Sequence, residues 1–91
     1  MIPRSWLIQP PLDADALEHE HTTTDERSRF VNVPFGALNK SWLALKAQIR
    51  PGDQLLKFSN GPAEFRRMAG RAGVALVREG VVIAEILTRF N

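Results

Sequence analysis

The clearest periodicity in the chain runs through "LNKSWLALKAQI", where Leu38, Trp42, Leu45 and Ile49 recur at spacings of four, three and four. At about 100° per residue these positions share one narrow stripe, which predicts an amphipathic helix over residues 38–49. Pro51 and Gly52 end it, because proline cannot continue a helix and glycine reverses the chain at low cost. "DQLLKFS" then reads as a strand carrying Leu55, Leu56 and Phe58. In "NGPAEFRRMAG", Gly61 as N-cap, Pro62 at the first helical position and Glu64 in the first turn predict a short second helix that stops at Gly70. The apolar stripe of that helix is Phe65, Met68 and Ala69. The final segment, "GVALVREGVVIAEILTRF", holds two β-branched runs joined at Glu79-Gly80 and predicts a hairpin, since Gly80 accepts a positive φ.

The first third of the chain is patterned less strongly. "SWLIQ" reads as a short strand that Pro10 and Pro11 stop. Residues 13–28 are polar apart from Ala14, Ala16 and Leu17, and read as a loop or mobile arm with one helical turn at its start. "RFVNV" before Pro34 is a further strand candidate. The expected fold is a small α+β domain, a mostly antiparallel sheet with a C-terminal hairpin packed by one long and one short helix. It divides into an N-terminal strand and acidic polar arm, residues 1–29, and a compact domain, residues 30–91.

If Glu79 and Gly80 form the turn, one hairpin face carries Val74, Leu76, Val81 and Ile83, and the other carries Ala75, Val77, Val82, Ala84 and Ile86. Both faces are apolar, so both need cover. A second copy of the chain, a lid made by residues 1–30, or another protein could supply it. The candidate interface is Val74, Leu76, Val81 and Ile83. Ala75 and Ala84 are small enough to let a helix approach, which assigns their face to the interior.

Composition adjusts this picture in three ways. Ninety-one residues, 44% hydrophobic and 24% charged, fit one globular domain with no membrane-spanning run and no secretory leader. The absence of cysteine excludes disulfides, thiolate nucleophiles and cysteine-built zinc sites, and fits a reducing cytoplasm. The net charge of +2 is unevenly divided: residues 1–30 hold six acids and three bases, residues 31–91 four acids and nine bases. That asymmetry fits a polyanion-binding body under an acidic arm, or two differently solvated surfaces.

The chemistry-bearing residues are sparse. Lys57, Arg66, Arg67, Arg71 and Arg78 could hold a phosphate backbone, although Glu64, three residues before Arg67, is placed to neutralise part of that field. Gly70 and Gly73 read as structural, Gly70 as a left-handed helix terminator and Gly73 as a sharp turn into the strand. His19 and His21 are the only pair with metal-ligand spacing, and only an extended arm would aim them together. The serines lack a nucleophile-elbow context and the carboxylates lack an apolar pocket, so no enzyme activity and no cofactor are expected, a metal-dependent activity at His19 and His21 being the one exception.

Residues 52–91, with "GDQLLKFS", "AGRAG", "ALVREG" and a terminal "TRFN", resemble small uncharacterised bacterial proteins that share a Gly-Asp opening, an FS strand end and a Thr-x-x-Asn terminus. The resemblance implies a bacterial origin and a shared fold, and carries no catalytic or binding residue. The functional expectation is a cytoplasmic, non-catalytic protein acting by protein contact, as a homodimer through the hairpin or with another protein partner. The alternative is a nucleic-acid-binding accessory protein using the arginine surface. No membrane association is expected.

Overall fold

The computed structural model describes residues 2–91. Four strands form one antiparallel sheet in chain order: β1 (Leu7–Leu12), β2 (Gln54–Ser59), β3 (Arg71–Arg78) and β4 (Val81–Phe90). Three helices accompany it: α1 (Ala14–Glu20), α2 (Asn39–Lys46) and α3 (Pro62–Arg66). The fold is therefore α+β with a C-terminal hairpin, as the pattern predicts, with three helices where two were expected. No helix among the described residues is long and apolar enough to cross a membrane.

The hairpin turns at Glu79 and Gly80, both at positive φ (51° and 78°), which matches the right-handed twist of the flanking strands. Its two faces are divided differently from a simple alternation. Leu76 pairs with Ala84 but Val77 pairs with Val82, so Ile83 is an extra residue in β4, and a second irregularity falls at Thr88. A bulge of one residue reverses the facing of everything beyond it. Ala84 and Ile86 therefore join Val74 and Leu76, while Val82 stays with Ala75 and Val77. The expected pairing of Ala75 with Ala84 on one interior face is thereby corrected.

Val74, Leu76, Ile86 and Leu55 form the first face, covered by Leu17 of α1, Trp42 and Leu45 of α2, and Phe35 from the connection between those helices. The rings of His21, Phe35 and Trp42 stack in sequence, with centroids 4.4 and 4.5 Å apart. The Trp42 indole donates to Glu18 Oε2 at 2.6 Å, and Lys46 Nζ donates to the same oxygen at 3.0 Å. A buried indole N–H thus has the partner it requires. Leu56, Phe58, Ala75, Val77 and Val82 form the second face, covered by Ile2, Trp6 and Leu7. Trp6 stacks on Phe58 with centroids 6.4 Å apart.

Three expectations for the first third are corrected. Pro10 and Pro11 lie inside β1 rather than ending it, which an edge strand tolerates because its outer side makes no ladder bonds; the pairing with β2 is irregular between Ile8 and Leu12. Residues 14–20 form two turns of helix, started by Asp13, whose side chain accepts from Ala16 N at 2.6 Å. "RFVNV" is a series of turns with Asn32 at φ 59°, followed by Phe35 at φ 62°, and this winding seats Phe35 in the core.

Candidate functional site

Val74 and Leu76 are 1% and 0% exposed, closed over by this chain's own helices, and offer a partner no surface. Ile83, half-buried, packs against the same core, while Val81 beside the turn is 58% exposed. The expected interface is thus split between interior and surface.

The accessible part of the hairpin is the outer border of β4. Among the described residues this ten-residue strand has β3 as its only neighbour in the sheet, whereas the opposite border, β1, carries Pro10 and Pro11. Strand borders present unpaired N–H and C=O groups, and proline, bulges and charge are the usual means of blunting them. β4 has the two irregularities and the charges of Glu85 and Arg89 but no proline. Leu87 and Phe90 toward its end are 39% and 68% exposed. Beside them lies an open cleft of about 210 Å³, lined by Ile2, Trp6, Phe58, Arg71, Glu85 and Leu87.

The five basic residues singled out by sequence do not make one surface. Arg78 sits at the turn end of the hairpin, where Nε and Nη2 donate to the two oxygens of Asp53 at 2.9 and 2.8 Å and Nη2 also donates to Gln48 O at 3.0 Å. The Asp53 side chain is only 2% exposed. Hydrogen bonding from Arg78 holds its carboxyl below the usual range, and the same pair raises Arg78. Arg67 pairs with Glu64 at 3.4 Å, the spacing foreseen, and Lys57 pairs with Glu20. Arg71 donates to Gly70 O at 2.8 Å and lies 6.0 Å from the Phe90 ring centre. Arg66 has no hydrogen-bond or ion-pair partner among the described residues.

Sequence reasoning missed Arg89. Its guanidinium lies 4.5 Å from the Phe65 ring centre, bringing it from β4 to the side of α3 that carries Arg66. Lys57, Arg66 and Arg89 line one open groove of about 640 Å³, together with Glu20 and His21 at the end of α1. Only the long-range register of β4 joins Arg89 to the other two.

Gly70 and Gly73 are structural for a reason other than the one expected. Neither has a positive φ; the left-handed residue after α3 is Met68, at φ 62°. A Cβ on Gly70 would lie 2.3 Å from the Phe65 ring, and one on Gly73 would lie 1.9 Å from Ile86 O. Close approach demands these glycines. The chain's last residue fastens the same corner: Asn91 Oδ1 accepts from Gly70 N at 2.9 Å, and Asn91 Nδ2 donates to Phe65 O at 2.7 Å.

His19 and His21 lie at the C-terminal end of α1, His19 in its last turn and His21 at its C-cap, where the extended geometry required for shared ligation does not exist. His21 stacks on Phe35, and its Nδ1 is 3.0 Å from Leu17 O. Among the described residues no group of three His, Asp or Glu side chains is placed to hold a metal ion. No family model matches the chain, and neither the curated proteins nor the solved structures contain a match.

Proposed function

We propose that the chain is a non-catalytic interaction module of the cytoplasm that associates with a second copy of itself along β4. The observation that carries this reading is the unpaired outer border of a ten-residue strand beside exposed Leu87 and Phe90. Antiparallel pairing of β4 with its twofold-related copy is self-complementary, each strand presenting the same border to the other. It satisfies main-chain groups that otherwise face water and gives Leu87 and Phe90 apolar neighbours. The lack of catalysis is supported by the engagement of Glu18, Glu20 and Asp53 in pairs that hold the fold together. The lack of cysteine suits a reducing compartment.

The test is solution mass by light scattering. The unaltered protein is expected at twice the 10.2 kDa of one chain, and Leu87→Lys with Phe90→Lys at the mass of one chain, with unchanged circular dichroism and a Tm that no longer rises with protein concentration. A single-chain mass for the unaltered protein at the highest soluble concentration refutes the reading.

A further inference from the structure

We infer that the groove between α1 and α3 binds a compact phosphate-bearing molecule, with Arg66 and Arg89 as its principal contacts and Lys57 as a third cation. The site arises because α1 and α2 cover only part of the first sheet face. Beyond them the floor turns polar and small, with Lys57 and Ser59 from β2 and Ala72 from β3, and α3 forms the far wall. The volume of about 640 Å³ is in the range of small-molecule sites.

The gathering of cations from separate elements in one concavity marks this groove. Arg78 and Lys46 are neutralised in place by Asp53 and Glu18, while Lys40 on α2 and Arg71 on β3, which have no carboxylate partner among the described residues, line no part of the groove. Here three cations from three separate elements meet a single carboxylate, Glu20, which pairs with Lys57. Arg66 and Arg89 have no carboxylate partner among the described residues. Arg89 rests one face on Phe65, which leaves the N–H groups in its plane free for a bidentate contact with phosphate oxygens. Ser59 Oγ accepts from Gly61 N at 3.0 Å, and its own proton remains for an anionic oxygen.

The basic area is a spot rather than a track. Arg78 is locked at the opposite end of the hairpin, and Arg71 is turned toward Gly70 O and the Phe90 ring. Glu20 lines the groove, and Glu64 is on α3 two residues before Arg66. A polymer of phosphates would have to pass those acids, whereas a diphosphate would not.

Calorimetric titration with inorganic pyrophosphate at low salt tests the inference, with oligothymidine titrated in parallel. Saturable one-to-one binding of pyrophosphate is expected, weakened roughly tenfold by Arg66→Ala and by Arg89→Ala and lost in the double variant. Arg89→Lys, which keeps the charge but loses the flat fork, is expected to weaken binding severalfold. Arg71→Ala lies outside the groove and should change nothing. Arg66 is exposed, so its variant should melt with the parent. No saturable binding, retained binding in the double variant, or an equal loss in Arg71→Ala overturns the assignment. Oligothymidine binding more tightly than pyrophosphate, with the same dependence on Arg66 and Arg89, overturns the claim of a compact ligand in favour of nucleic acid. Arg89 belongs to β4, so light scattering of the Arg89 variants separates a lost phosphate contact from a lost pairing of that strand, and Arg66→Ala, on α3, reads the site alone.

Discussion

The two faces of the sheet are built from the same strands but closed by different means. On one side, α1, α2 and Phe35 lay a stacked aromatic layer over Leu55, Val74, Leu76 and Ile86, and Glu18 satisfies the indole N–H of Trp42 within it. On the other, Ile2, Trp6 and Leu7 close over Leu56, Ala75 and Val77, and the cover gives out toward Leu87 and Phe90. The first arrangement is a core in depth; the second is a strip. Stability should therefore reside mainly on the helical side, and the strip should be the side that responds to a partner.

The largest effect is expected from Trp42→Ala, which empties the middle of the helical side and should cost about 3–5 kcal/mol in urea unfolding. Gly73→Ala comes next. Its Cβ would meet the Ile86 carbonyl and the Phe58 ring, straining both sides at once, and a loss of about 1–3 kcal/mol is expected from the same measurement. Trp6→Ala removes part of the strip only, for about 1–2 kcal/mol, and should make Phe58 accessible to a hydrophobic dye without lowering helix content. If Trp6→Ala proves costlier than Trp42→Ala, the contrast between the faces is wrong.

The smallest effect is electrostatic. Hydrogen bonds from Trp42 and then Lys46 hold Glu18 below its ordinary value of 4.5, so the unfolded chain takes up that proton first as the pH falls. The stabilisation is complete above about pH 4.5 and is lost as acid titrates the folded carboxylate. Asp53, lowered chiefly by Arg78, acts in the same direction. Glu18→Gln should lower stability at neutral pH by about 1 kcal/mol and flatten the acid limb of the stability profile.

Local signals carried over at their centres but not to their predicted ends: α2 stops at Lys46 and leaves Ile49 36% exposed, and α3 stops at Arg66 with Met68 72% exposed. The Trp42 and Leu45 stripe, the Gly61-Pro62 start of α3 and the Glu79-Gly80 turn all rest on near-neighbour chemistry, and all are present. In sequence α1 reads as one turn rather than two because its inward side is buried Leu17 with half-buried Ala14 and the C-cap His21, and a histidine that packs as an aromatic ring leaves no apolar signature. The facing of β4 was missed because bulges at Ile83 and Thr88 are settled by pairing across the sheet rather than by composition. The groove was half visible. Lys57 and Arg66 stood out as basic residues, but Arg89 reaches them only through that same register.

The side chain of Asn91 has a practical consequence. One amide group clasps both Gly70 and Phe65, so the shortest of the three α-helices is tied down by the residue that follows β4. Asn91→Ala should let α3 swing away from β4 and take Arg66 with it.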